Sequence, residues 1–164
     1  MNPHMFKAIG LSFLLICANA SADPDDAAGP DDPACAAIKA SPAFESFVQS
    51  YIAAINSKKP EVLWACYYPK SVQILAKDKE YADAVCEDSF SDSIPATYEV
   101  ALKALKPSDV NKMETDEGTT YPIRPTVQMG IRWKLGKGEE SEGGLLLVLD
   151  GGKWYAVVGT RPTK

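Results

Sequence analysis

The clearest repeating pattern in the chain is an apolar stripe with helical spacing over residues 44–55. Apolar side chains recur there every three or four residues, which places them on one face of an α-helix. Ser41 and Pro42 supply an N-cap and a first helical residue, and Asn56 and Ser57 end the pattern. The sequence therefore predicts a long amphipathic helix whose stripe is formed by Phe44, Phe47, Val48, Tyr51, Ile52 and Ile55.

Three shorter helices are predicted from similar start signals. Each begins at a capping side chain or at a proline, which suits the first turn of a helix. Pro69 is expected to stop the second of them, and Asp78 can cap the third. Residues 71–76 fit either a turn of helix or a short strand. The three predicted helices cover residues 33–39, about 60–68 and about 79–90.

After residue 96 the apolar period falls from about 3.6 residues to about 2, which indicates β-strands. Residues 97–105 and 153–160 are predicted strands, and 107–119 is polar and predicted to be a loop. The cleanest alternation runs over 126–135. Its expected inward face consists of Val127, Met129, Ile131, Trp133 and Leu135.

The last two predicted strands form a hairpin. Residues 144–149 are continuously apolar, so this strand is expected to be covered on both faces. The residues Asp150, Gly151 and Gly152 that follow are typical of a tight hairpin turn. Helices therefore come first and an antiparallel meander last, which predicts an α+β domain with N-terminal helices packed on a curved antiparallel sheet. The stripe of 44–55 and the inward face of 127–135 are expected to meet.

The N-terminus has the order of a secretory signal. Lys7 precedes an apolar run over 8–17, and small residues lead to expected cleavage after Ala22 or, as the second choice, Ala20. The run is too short for a spanning helix, which needs about 20 apolar residues. Residues 1–22 are therefore predicted to be a signal peptide of a periplasmic or secreted protein without a membrane span. Lipidation at Cys17 is a less favoured alternative.

Charge and composition exclude several functions. The net charge is −5, and five acidic residues lie in 23–32, a segment predicted to be a solvated linker that leads into the short helix ending near residue 40. The remainder is nearly neutral and offers no case for binding nucleic acid. The one histidine, His4, lies in the leader. Ser-His-Asp catalysis and His-ligated zinc are therefore excluded, and no metal or cofactor is predicted.

Three cysteines follow the leader, and in an oxidising compartment two of them are expected to pair. Cys66 and Cys86 each lie on the apolar side of a predicted helix, so a Cys66–Cys86 disulfide is the first choice. Pairings of either one with Cys35 remain open.

The order of elements resembles the nuclear-transport-factor-2-like (cystatin-like α+β) superfamily, and especially small exported bacterial proteins of that fold. The resemblance covers about 41–160. It is carried by Phe47–Tyr51 with Ala54, Tyr68-Pro69, Arg124-Pro125-Thr126 and the hairpin segment from Asp150 to Tyr155. It implies a cone-shaped fold that hosts enzymes, binding modules and assembly domains alike, so it does not decide the function.

Catalytic members of the superfamily place a tyrosine and carboxyl groups in the cone, but no Asp or Glu interrupts either predicted apolar face here. We therefore expect a non-catalytic domain that binds a small apolar or amphipathic ligand or an envelope protein. A cavity enzyme of isomerase or dehydratase type, an immunity or inhibitor protein against a secreted toxin, and a homodimer formed through the sheet remain open. The expected pocket residues are Tyr51, Trp64, Tyr68, Trp133 and Tyr155.

Overall fold

The computed structural model describes residues 32–135 and 139–161. The predicted signal peptide, most of the acidic linker, the tip of the loop at 136–138 and the last three residues lie outside the described residues. The described chain is an α+β domain of helices with an open antiparallel sheet. Its elements are α1 Pro33–Lys39, α2 Pro42–Ser57, α3 Pro60–Trp64, α4 Pro69–Lys77, α5 Lys79–Ser89, β1 Tyr98–Ala104, α6 Pro107–Glu117, β2 Val127–Lys134, β3 Glu140–Asp150 and β4 Lys153–Val157.

The long helix α2 confirms the predicted amphipathic helix. The Ser41 side chain accepts a hydrogen bond from the backbone N–H of Phe44 at 3.2 Å, which caps the first turn. At the other end Lys58 adopts a left-handed conformation with φ 55° and closes the helix. All six residues of the predicted stripe are buried, and Ala54 joins them.

The sheet has the strand order β1-β2-β3-β4, and all its pairs are antiparallel. The alternation predicted for β2 is confirmed, since Val127, Met129, Ile131 and Trp133 are buried, while Arg132 is exposed. Leu135 lies just beyond the strand and is half-buried. The stripe of α2 and this face of β2 belong to one hydrophobic core.

An aromatic contact joins α2 to β4 of the sheet, because the rings of Phe44 and Trp154 meet edge to face at 5.8 Å. Gly151 and Gly152 form the predicted hairpin turn with φ 57° and 80°. The expectation that 144–149 is covered on both faces holds only in part. Leu147 and Val148 are buried, but Leu149 at the end of β3 is 50% exposed.

Pro69 begins a helix instead of stopping one, so α4 corrects the prediction for this region. The predicted helix from Pro60 ends early, at Trp64, and the chain then runs beside β4. There the N–H of Tyr68 donates to the carbonyl of Ala156 at 2.8 Å, and the N–H of Ala156 donates to the carbonyl of Cys66 at 2.9 Å. Because α4 spans Pro69–Lys77, residues 71–76 are helical, and the alternative of a short strand is excluded.

The helix α6 is a second correction, because residues 107–119 were expected to form a loop. Pro107 occupies its first turn, and the Asp109 carboxylate accepts a hydrogen bond from the backbone N–H of Lys106 at 2.8 Å. Gly118 ends the helix with φ 64°. Among its residues only Val110 is buried, so the segment lacks the apolar stripe by which a helix is usually recognised. Within the described residues, no helix has the length and apolarity needed to cross a membrane.

Candidate functional site

A cleft of about 280 Å³ opens between α2, the chain around α3 and the start of β4. Its floor is formed by Phe47, Cys66 and Trp154, which are buried at 6%, 6% and 4% exposure. These side chains come from three separate elements. The cleft is therefore created by tertiary packing, and no local pattern in the sequence predicts it.

Two walls and a rim enclose this floor. Small side chains of α2 form one wall, and Val62 with Ala65 forms the other. Val62 is 39% exposed, an apolar side chain left open to solvent beside the floor. Lys153 lies at the rim and is the one charged residue among the nine lining residues in the described chain. The α2 wall consists of Ala43, Ser46 and Ser50.

Cys66 and Lys153 approach each other because the chain at 66–68 pairs with β4. Burial raises the pKa of the Cys66 thiol, while the ammonium of Lys153 lowers it by a smaller amount. The thiol is therefore protonated near neutral pH and is a poor nucleophile. Lys153 also lies over a ring, with its Nζ 4.8 Å from the centroid of Tyr155.

Behind the floor lies a group of buried hydroxyls. The rings of Phe47 and Tyr51 stack at 6.1 Å, and Tyr51 is buried in the core. Burial raises the pKa of Tyr51 and of Tyr67 well above their usual range, and hydrogen bonding to the Ser89 side chain opposes this in both. The neighbours that shift these two pKa values are hydroxyls and the Cys66 thiol, so this group offers no carboxylate as a general base.

The five residues predicted to line a pocket are separated by the fold, and none of them lines this cleft. Tyr68 and Tyr155 do meet, edge to face at 5.8 Å, but on the sheet face opposite to Trp133. Trp64 packs edge to face on Tyr67 at 5.5 Å. Tyr51 is a core residue, 6% exposed.

Trp133 fills the core at the far end of β2, near Gly143. Its ring nitrogen Nε1 is buried and has no hydrogen-bond partner among the described residues. A buried N–H without a partner is unfavourable, so the indole is held there by its apolar contacts.

The sequence reasoning missed Phe47, Trp154 and Lys153 as cleft residues. The apolar periodicity predicts that Phe47 is buried, and this is correct. Periodicity does not show whether a buried side chain also lines a cleft, as Phe47 does. Lys153 directly follows the turn residues Gly151 and Gly152. The turn pattern predicts the hairpin, but it indicates no role for the Lys153 side chain.

The three cysteine thiols Cys35, Cys66 and Cys86 are free in the structure. The predicted Cys66–Cys86 disulfide is therefore not formed here, and this pairing stays a prediction for the oxidised protein. Either state leaves an uncharged sulfur in the floor of the cleft.

A second polar cluster joins the C-terminal segment to α5. The Arg161 guanidinium lies 4.7 Å from the centroid of the Tyr81 ring, and its nitrogens lie 3.3 Å from Glu80 and 4.0 Å from Asp78. Nearby, burial raises the pKa of Tyr121 to about 12. Across the described ranges, no group of three or more Cys, Asp or Glu side chains has the arrangement of a metal site. We interpret these contacts as holding the C-terminal segment around Arg161 against α5.

Comparisons with protein-family models, with curated proteins and with solved structures find no match for this chain. The cleft and its surroundings are therefore the features from which a function can be inferred. The cleft can hold a small molecule against apolar walls and can offer it one positive charge.

Proposed function

We propose that this protein is an exported, non-catalytic binding domain whose cleft between α2, α3 and β4 takes up a small amphipathic ligand. The proposal includes a curved, cone-like sheet of the nuclear-transport-factor-2-like kind and a periplasmic or secreted location. The α+β order of elements supports the first, and the signal-like leader over 1–22 supports the second.

The observation that carries the proposal is the cleft itself, an apolar floor with an exposed apolar side chain, Val62, beside it. Apolar ligand surface placed against such walls is stabilised by about 25 cal/mol per Å² removed from water. The volume of about 280 Å³ corresponds to roughly nine water molecules at ~30 Å³ each, enough for about ten non-hydrogen atoms.

The chemistry of the lining favours binding over catalysis. No carboxylate or imidazole lies among the nine lining residues, and the raised pKa of Cys66 keeps its thiol protonated. General acid–base catalysis needs a titratable group within hydrogen-bond reach of the substrate. The cavity-enzyme alternative finds no carboxylate or imidazole for this role among the lining residues of the cleft.

Calorimetric titration of the mature protein with octanol, a neutral amphipathic probe of matching size, tests the proposal. We expect saturable binding. Ala43→Phe should abolish it by filling the cleft from the α2 wall. Ala53→Phe is the matched control, because Ala53 is exposed on the same helix and does not line the cleft.

The expected outcome is octanol binding to the wild type and to Ala53→Phe but not to Ala43→Phe. Circular dichroism of each variant verifies that it is folded. An absence of octanol binding to the wild type, or equal binding to both variants, would contradict the proposal.

A further inference from the structure

The charge arrangement around the cleft is one-sided. Its single charged lining residue is Lys153, and no carboxylate in the described ranges forms an ion pair with it. The other eight lining residues are apolar, aromatic, a thiol or hydroxyl-bearing. A ligand in this cleft therefore meets an apolar floor and, at the rim, one lysine that forms no ion pair among the described residues.

The fold holds this cation in place. Lys153 is the first residue of β4 and pairs with Asp150 across the hairpin turn. Its ammonium rests over the ring of Tyr155, with 4.8 Å between Nζ and the ring centroid. Burial raises the pKa of the Cys66 thiol in the floor, and the positive charge of Lys153 lowers it by a smaller amount.

We propose that the cleft selects amphipathic monoanions, with the anionic head on the ammonium of Lys153 and the apolar body against Phe47 and Trp154. This inference rests on the proposed function and adds the class of ligand. A carboxylate at the rim would form a charge-assisted hydrogen bond with Nζ, while a neutral head of the same size would gain no ionic interaction.

The test compares octanoate with octanol in calorimetric titrations at near-neutral pH and low ionic strength. We expect octanoate to bind the wild type about fivefold more tightly than octanol, as a partly exposed ion pair allows. Added salt should remove most of this preference, because screening weakens ionic contacts and leaves apolar ones intact.

Variants of Lys153 separate its charge from its packing. Lys153→Met should abolish the preference for octanoate over octanol, measured as the ratio of the two affinities within the same variant, and Lys153→Arg should keep the preference. Lys103→Met is the matched control, since Lys103 is an exposed lysine of β1 that does not line the cleft.

Each outcome decides one of the two proposals or both. Equal binding of octanoate and octanol to the wild type would overturn the anion preference and leave the proposed function standing. The same loss of octanoate affinity in Lys103→Met as in Lys153→Met would also overturn it, since only the overall charge would then matter. If octanol does not bind to the wild type, the proposed function fails, and if octanoate does not bind either, the anion preference fails with it.

Discussion

At the scale of single residues, the same kinds of side chain have different roles according to their neighbours. Tyr51 and Tyr67 lie deep in the core beside the Ser89 hydroxyl, whereas Tyr68 and Tyr155 are half-buried partners on the other face of the sheet. Residue type alone placed Tyr51, Tyr68 and Tyr155 in one candidate pocket. The fold separates Tyr51 from the other two, because Tyr51 lies in the core on the stripe of α2 and the other two meet on the opposite face of the sheet.

Replacing Trp133 is expected to show that its position is core. Trp133→Ala removes a side chain that is 9% exposed and should cost about 3–5 kcal/mol of unfolding free energy. Trp133→Phe should cost clearly less, because Nε1 has no partner in the described residues and no hydrogen bond is lost. Urea denaturation measures both. A near-neutral Trp133→Ala would mean that this face of β2 is not core.

The buried tyrosines predict a loss of stability at alkaline pH. Burial raises the pKa of Tyr51 and Tyr67 in the folded protein above the value of about 10 that tyrosine has in an unfolded chain. A group whose pKa is higher in the folded state contributes its full stability below the unfolded pKa and loses it as the pH rises further. The free energy of unfolding should therefore fall above about pH 10.

Unfolding curves in urea from neutral to strongly alkaline pH measure this loss. Tyr51→Phe should flatten the alkaline fall and cost about 1–3 kcal/mol at neutral pH, because it leaves buried hydroxyl groups without a hydrogen-bond partner. An alkaline fall as steep in the variant as in the wild type would show that Tyr51 does not contribute to it.

At the scale of elements, close backbone approach ties the C-terminal segment to the turn after α6. A Cβ atom on Gly159 would collide with the Thr119 side chain and lie 2.8 Å from the Thr120 carbonyl oxygen. The N–H of Thr160 donates to that same carbonyl at 2.9 Å. Glycine at this position is therefore required by the packing of two backbones.

Gly159→Ala should destabilise the protein by about 1–3 kcal/mol, the range expected for overpacking. Gly130→Ala is the control, because nothing lies within 4 Å of its Cβ position in the middle of β2. That substitution should be neutral or stabilising by up to about 1 kcal/mol. Thermal unfolding compares the two variants. Equal effects would contradict the close approach seen at Gly159.

Elements with a continuous buried face or a clear capping signal were predictable from the sequence, whereas α4 and α6 were not. The apolar stripe of α2 and the apolar–polar alternation of β2 each predict which side chains are buried. The polar helix α6 buries only Val110, and α4 begins at a proline that equally signals the end of a helix. The cleft depends on pairing of 66–68 with β4, a contact between residues far apart in the chain that no local pattern reports.

At the scale of the whole molecule, the signal-like leader over 1–22 predicts export. The intact mass of the exported protein should correspond to a chain that begins after Ala22. An acylated species that begins at Cys17 would refute the leader prediction.

The disulfide between Cys66 and Cys86 is a separate prediction. Peptide mapping under non-reducing conditions should show the Cys66 peptide linked to the Cys86 peptide. Closing this loop of about 20 residues would stabilise the fold by roughly 3 kcal/mol. A linked Cys35 peptide would refute the pairing.

The central claim is that the cleft between α2, α3 and β4 is the binding site, and NMR shift mapping tests it most directly. Octanoate is titrated into the ¹⁵N-labelled mature protein and the amide signals that move are assigned. The account predicts saturable shifts concentrated in 43–50, 62–66 and 153–154. Shifts concentrated outside these three ranges and their immediate neighbours, or no saturable shift at all, would contradict it.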